Sequence, residues 1–253
     1  MPHGKVPLIA EPGDRLTEWL RERLEQTGYA PRPVGPPSAR PSLVTSSLPA
    51  AAGLDLWRVP TAERREALEA LEAQLPAACP LLVRCEALPV DEVASWASRP
   101  TRVVGFSAFG VAREGMVVEV VPATRASPEA IRRATMFLES MGFVVRTLPV
   151  GSWPIYPRVL AVVINEAAAA IGAGAATADD VDLAMKLGAS YPEGPLALAD
   201  RIGLHEILDI LEGLQSEFGD DHYRPAPLLR RLVRAGDTGQ AGGRGFHAYE
   251  PPS

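Results

Sequence analysis

The sequence predicts an α/β domain with a mostly parallel sheet, followed by a smaller domain made only of helices. Short apolar runs alternate with amphipathic helical segments from residue 5 to residue 148. That alternation is typical of parallel strands covered by helices on both faces. From Tyr156 onward the apolar residues recur only at helical spacing. A chain of 253 residues suits two domains, which we expect at 1–150 and 151–253.

The first domain opens with a strand at 5–9 and a helix whose apolar face runs from Leu16 to Leu24. This is the strand–turn–helix opening of a reduced Rossmann-like fold. The proline-rich residues 31–41 are predicted to form a connector. The remaining predicted elements are strands at 43–45, 54–57, 81–85, 101–106, 116–121 and 143–148, and helices at 61–75, 90–97 and 127–141.

Five helices are predicted in the second domain. Thr177 is a good N-cap for one of them, with Asp179 and Asp180 in its first turn. Gly188 and Gly219 are suited to end helices. Fewer than 100 residues bury little surface alone, so the bundle either packs by itself or adds a dimer interface. The predicted helices lie at 159–171, 177–188, 195–203 and 207–218, and after Pro227.

Composition excludes several classes of function. The net charge is −6 without a basic block, which argues against a nucleic-acid partner. No apolar run reaches the roughly 18–20 residues needed to cross a bilayer, and residues 1–30 lack a signal-peptide pattern, so we expect a cytoplasmic protein. Cys79 and Cys85 have no nearby histidine cluster and are predicted to be core thiols. The four histidines fit no metal site.

Several separated motifs follow one another along the second domain in a defined order and spacing. They are Ala184-Met-Lys-Leu-Gly188, Pro192-Glu-Gly-Pro195, Leu198-Ala-Asp-Arg-Ile-Gly-Leu204, Tyr223-Arg-Pro-Ala-Pro-Leu-Leu-Arg-Arg-Leu232 and Gly242-Gly-Arg-Gly-Phe246. This series, about a third of the chain, resembles the C-terminal domain of the 3-hydroxyacyl-CoA dehydrogenases. The resemblance implies an all-α domain of the 6-phosphogluconate dehydrogenase C-terminal-like type. It also implies an NAD-dependent enzyme of fatty-acid oxidation that forms a homodimer through these helices.

The turn after the first strand departs from the family pattern. Related dehydrogenases carry G-x-G-x-x-G there, whereas this chain has Ala10-Glu-Pro-Gly-Asp-Arg15. Gly13 is the one glycine left, and Arg15 could offset part of the negative charge of Glu11 and Asp14. Those glycines let main-chain amides approach a pyrophosphate at a helix N-terminus. We therefore expect weak or no NAD binding, with Gly13 and Arg15 as the candidate cofactor residues.

The resemblance also assigns catalytic positions. The family's Thr-Ser-Ser-Leu-Pro motif falls on Cys85-Glu-Ala-Leu-Pro89, which places Glu86 at its first serine. Ser107 occupies the position of the family's catalytic histidine. Glu119 matches the family's glutamate, which orients that histidine. Pro157 occupies the position of the family's substrate-binding asparagine. No histidine occurs between residues 4 and 204, so a general base titrating near neutral pH is missing from this domain.

Three hypotheses follow. The first is a family member that has lost efficient hydride transfer and binds an acyl-CoA or a partner enzyme as a regulatory or scaffolding subunit. The second is an active NAD-dependent oxidoreductase with relocated groups, in which Glu86 and Glu119 form a new carboxylate pair. The third is a purely structural dimer.

Overall fold

The computed structural model describes residues 4–10, 14–34, 51–110 and 116–249. The chain forms two compact units, Met1–Pro154 and Ile155–Ser253. The strand predicted at 43–45 and the residues 11–13 of the cofactor turn lie outside the described residues.

The first unit contains a seven-stranded sheet in the order β2-β1-β3-β4-β5-β6-β7. Neighbouring strands run parallel except for β5 and β6, which are antiparallel, so the prediction of a mostly parallel sheet is confirmed. The strands are β1 Gly4–Ile9, β2 Tyr29–Pro33, β3 Gly53–Asp55, β4 Leu81–Arg84, β5 Val103–Ser107, β6 Val117–Pro122 and β7 Val144–Thr147, and the helices are α1 Arg15–Gln26, α2 Ala62–Ala73, α3 Val90–Trp96 and α4 Pro128–Ser140.

The N-terminal part of the predicted connector is a strand. β2 contains Pro31 and Pro33 and pairs with β1 alone in the described sheet. Proline has no amide hydrogen to donate to a ladder, but at an edge strand alternate residues turn their nitrogen away from the single neighbouring strand, where no bond is lost. A proline-rich segment can therefore form the edge of this sheet. The strand predicted from residue 101 begins at Val103, because residues Pro100–Arg102 form a turn of 3-10 helix.

Helices cover both faces of the sheet. On one face α1 and α4 pack against alternate residues of the strands, among them Leu54, Leu82 and Phe106. On the other face α2 and α3 pack against Leu81 and Val83. Successive residues of β4 thus enter opposite cores, as expected of a buried parallel strand. This arrangement is Rossmann-like.

The second unit consists of helices joined by turns and a folded terminal segment. α5 is its central helix and contacts three of the others. By length and mean hydropathy (1.3) α5 would suit a membrane crossing, so the expectation that no apolar segment is long enough was too strict. Its buried face, including Leu160 and Ile164, instead packs within the bundle. The helices are α5 Ile155–Gly172, α6 Ala178–Gly188, α7 Pro195–Ile202, α8 Leu204–Phe218 and α9 Pro227–Ala235.

Two buried aspartates organise the turns of this unit. Asp182 on α6 accepts hydrogen bonds from the first amides of α7, at Leu196 (2.8 Å) and Ala197 (3.0 Å). Asp200 accepts bonds from the Phe246 and His247 amides and from the Tyr249 hydroxyl. Burial raises the pKa of Asp200, partly opposed by those bonds. The two aspartates thus connect the segments that carry the sequence motifs of this domain.

Candidate functional site

The carboxyl ends of β1 and β3 border the crevice where the sheet reverses its winding. The chain passes from β1 to β2 on one side and then returns to β3 on the other side. In doubly wound sheets, ligands bind in the crevice at this point. The described polar groups near it form what we call the edge network, which consists of Asp14, Asp55, Arg64, Arg84 and Glu86.

The N-terminus of α1 is capped by a carboxylate of the chain itself. Asp14 is the N-cap residue, and its Oδ2 accepts bonds from the Thr17 amide (2.8 Å) and the Thr17 hydroxyl (2.6 Å). Its Oδ1 accepts a bond from Arg84 Nη1 at 3.1 Å. A negative charge therefore stands at the helix N-terminus, where dinucleotide-binding folds place the pyrophosphate.

Arg84 binds a second carboxylate. Its Nε donates to Glu86 Oε2 at 3.0 Å, and the two side chains are only 2% and 4% exposed. Glu86 Oε1 in turn accepts a bond from the Ala108 amide at 3.2 Å. One guanidinium thus joins the start of α1 to the end of β4, and Glu86 joins β4 to the residue after β5.

A second buried ion pair adjoins this one. Arg64 of α2 donates to Asp55 Oδ2 from Nε (2.9 Å), and its Nη2 lies 2.8 Å from the same oxygen. The same Nη2 also donates to the main-chain carbonyl of Arg84 at 3.2 Å. Both side chains are fully buried. The edge network therefore fills this end of the sheet with three carboxylates and two guanidinium groups.

The structure brings together three residues at the predicted catalytic positions. Ser107 and Glu119 are directly paired across the antiparallel strands β5 and β6. Glu86 binds the amide of Ala108, the residue next to Ser107. All three side chains are buried. Glu86 and Glu119 therefore both lie near the C-terminal end of β5.

Cys85 lies among these charges without the properties of a nucleophile. Burial raises the pKa of its thiol well above the ordinary value, and Glu86 adds to the effect. The thiol donates to the Phe106 carbonyl at 3.5 Å. Cys79 is also buried, and burial raises its pKa to about 11. The prediction of two core thiols is confirmed.

The other predicted site residues have different outcomes. Gly13 lies outside the described residues, and Arg15 is the exposed first residue of α1. Pro157 is a buried residue in the first turn of α5, in the second unit. Among the described residues, no group of three or more histidine, cysteine or acidic side chains is placed to hold a metal ion.

The two arginines of the edge network were not predicted from the sequence. A signal was available for Arg84, because it and Glu86 follow the otherwise apolar residues 81–83 of a buried strand. A charged side chain at such a position is rarely fully buried unless it is paired. Arg64 gave no such signal, because an arginine in the first turn of an amphipathic helix is ordinarily exposed.

Both units match models of one protein family. Residues 155–249 match the 3-hydroxyacyl-CoA dehydrogenase C-terminal domain, and residues 61–147 match the 3-hydroxyacyl-CoA dehydrogenase NAD binding domain. The second match begins after β1, α1 and the turn that joins them.

Individual proteins show the same similarity. The chain is 38% identical over 191 residues to a probable 3-hydroxybutyryl-CoA dehydrogenase of Bacillus subtilis, covering 75% of this chain and 66% of that one. It is 37% identical over 164 residues to a protein of the same description from Deinococcus radiodurans, covering 64% and 58% of the two chains. The alignments thus span about three fifths to two thirds of these relatives' length.

A solved structure shares the fold over nearly the whole chain. The (S)-3-hydroxybutyryl-CoA dehydrogenase from Ralstonia eutropha has a TM-score of 0.80 at 22% identity, with 98% of this chain and 99% of that chain covered.

Proposed function

The chain belongs to the 3-hydroxyacyl-CoA dehydrogenase family, and we propose that it is a member with impaired or lost NAD-dependent hydride transfer. The observation that carries this proposal is the position of Asp14, which caps α1 and pairs with the buried Arg84. We further propose that the protein acts in acyl-CoA metabolism by binding an acyl-CoA, or as a regulatory or scaffolding subunit. A cytoplasmic location stays a prediction from the sequence.

The described residues at the start of α1 do not fit the pyrophosphate of NAD. The Asp14 carboxylate would lie close to two phosphate charges, in a site where Arg84 is already bound by two carboxylates. Removing one partner from a buried ion pair costs about 3–5 kcal/mol. A micromolar dissociation constant corresponds to about 8 kcal/mol, so displacing Asp14 would offset roughly half of such a binding free energy.

The catalytic positions support the same proposal. Oxidation of a 3-hydroxyl requires a group that takes the hydroxyl proton near neutral pH. A serine hydroxyl at residue 107 cannot do so alone. The sequence contains no histidine between residues 4 and 204.

A second candidate function is an active oxidoreductase that uses a carboxylate as its base. The observation in its favour is the position of Glu119 directly opposite Ser107 on β6. In this candidate Glu119 would take the proton through, or in place of, the serine hydroxyl. Purely structural dimerisation is the third alternative, in which neither cofactor nor CoA ester binds.

We also propose a homodimer formed through the second unit. Val159 on α5 and Leu183 and Leu187 on α6 are 56%, 52% and 77% exposed. Leu183 and Leu187 lie four residues apart on one face of α6. Exposed apolar side chains that share a helix face are typical of association surfaces.

Two measurements on the full chain separate the three functions. The protein is incubated with NADH and acetoacetyl-CoA, and the nicotinamide absorbance is followed at neutral pH. Turnover at the rate of an ordinary dehydrogenase would refute the main proposal and favour the carboxylate base. Absence of turnover together with calorimetric binding of acetoacetyl-CoA supports an acyl-CoA-binding homologue. Absence of both leaves the structural dimer.

A further inference from the structure

A concave surface of the second unit lies outside the proposed function. It is formed by the end of α5, the start of α6, α9 and residues 244–248, and it encloses about 660 Å³. We call it the α9 groove. Its volume falls within the range of about 300–1,000 Å³ that is usual for small-molecule sites. Its floor is apolar and half-buried, and it comprises Ile171, Leu228, Leu232 and Phe246.

The rim of the α9 groove carries an excess of positive charge. Arg231 and Arg244 line it together with one carboxylate, Asp237, and with His247, which contacts the carboxylates of Asp179 and Asp182. Asp237 lies 3.8 Å from Arg244 Nε, so it neutralises one of the two arginines and not the other. α9 itself contains three arginines and no acidic residue. Arg231 is therefore the lining cation that an anionic ligand in this groove would meet.

We propose that the α9 groove binds a fatty carboxylate. Its chain lies along the apolar floor, and its carboxylate is bound by Arg231. The two features of the groove require a ligand with both properties. A small anion would leave the apolar floor in contact with water, and a neutral hydrocarbon would give Arg231 no partner. A guanidinium also matches a carboxylate geometrically through two parallel N–H donors.

The test is calorimetric titration of the full chain at low salt with three ligands: dodecanoate, dodecanol and butyrate. Dodecanoate is expected to bind more tightly than the other two, because dodecanol lacks the charge and butyrate lacks the chain. Arg231→Gln should weaken dodecanoate binding about two- to fivefold, the range for an exposed ion pair. Arg234→Gln is the matched control, because Arg234 is an exposed arginine of the same helix that does not line the groove.

A second variant tests the apolar part. Ala248 is exposed and lines the groove, so Ala248→Trp should fill it without disturbing the core, and dodecanoate binding should be lost. Failure of dodecanoate to bind the wild-type chain would overturn the proposal, as would equal binding of dodecanol or equal losses in Arg231→Gln and Arg234→Gln. If Ala248→Trp dissociates a dimer in sedimentation, the groove belongs to a second copy and the proposal is wrong. None of these outcomes depends on whether NADH binds or reacts.

Discussion

The guanidinium of Arg84, at the end of β4, lies 3.1 Å from the carboxylate of Asp14, which caps α1. The two residues are 70 positions apart in sequence, and their side chains are 2% and 5% exposed. The start of α1 is therefore held to the centre of the sheet by charge. We therefore expect the stability of the unit and the ligand preference of its crevice to depend on the same pair.

Replacing Arg84 should strongly destabilise the first unit. Arg84→Met leaves the carboxylates of Asp14 and Glu86 buried without their cation, so the free energy of unfolding should fall by about 3–5 kcal/mol in urea denaturation. Arg132→Met is the matched control, because the Arg132–Glu129 pair is exposed and should contribute at most about 1 kcal/mol. Adding Glu86→Leu to Arg84→Met should restore part of the loss. Equal effects of Arg84→Met and Arg132→Met would contradict the role given to the edge network.

Removing the charge of Asp14 should favour NAD. Asn is as good an N-cap as Asp, so Asp14→Asn keeps the helix start while it removes one negative charge and releases Arg84 from one carboxylate. NADH fluorescence titration at low salt should show a gain in affinity of at least about fivefold over a weak wild-type value, the effect of one charge at a helix terminus, because the buried ion pair no longer has to be displaced. Glu25→Gln, near the other end of α1, is the control. A low micromolar wild-type dissociation constant would refute the proposed loss of cofactor binding.

The fold was largely predictable because its signals are local. Thr177 was predicted as an N-cap, and the helices predicted at 61–75 and 127–141 begin at Thr61 and Ser127. All three side chains accept the amide bond expected of an N-cap. Apolar periodicity likewise placed the central strands and the helices of the second unit. β2 was partly missed because only its position at the sheet edge makes its prolines acceptable.

The candidate site was less predictable because it depends on pairing between distant residues. Glu11 and Asp14 were recognised as unfavourable to a pyrophosphate, but the cation that holds Asp14 is contributed by β4. The antiparallel register of β5 and β6 places Glu119 opposite Ser107, and the bond from the Ala108 amide places Glu86 beside the same strand end. No spacing in the sequence specifies either contact. The charged residues could therefore be identified in the sequence, but the residues with which they pair could not.

The homodimer should depend on the exposed apolar residues of α6. In sedimentation at micromolar concentration the wild-type chain should run as twice its mass of 27.0 kDa. Leu187→Glu should shift it to the monomer, because Leu187 is 77% exposed and would place a charge inside the interface. Met136→Glu alters another exposed apolar residue (55%), on α4 in the first unit, and should leave the dimer intact. A wild-type monomer would exclude the proposed association.

Cys79 should make stability decrease in alkaline solution. Burial raises the pKa of its thiol in the folded chain from an ordinary value of 9.0 to about 11, partly opposed by Arg102 and Arg133. Between these values the folded state keeps a proton that the unfolded state has released, so the free energy of unfolding falls as the pH rises from 9 to 11. In Cys79→Ala this decrease should be smaller, as measured by urea denaturation across that range. Parallel profiles for the two proteins would show that Cys79 does not titrate as described.

Two glycines of the second unit should respond in opposite ways to alanine. A Cβ at Gly245 would lie 1.9 Å from Asp200 Oδ1, a distance that no side chain can occupy, and Asp200 is held by bonds from residues 246, 247 and 249. Gly245→Ala should therefore displace the terminal segment and lower the free energy of unfolding by several kcal/mol, at the upper end of what single substitutions cause.

Gly188 ends α6 with no heavy atom within 4 Å of a Cβ. Gly188→Ala should raise stability by at most about 1 kcal/mol through helix propensity. Thermal denaturation of both variants tests the pair. A Gly245→Ala protein as stable as the wild type would show that Asp200 does not fix the terminal segment.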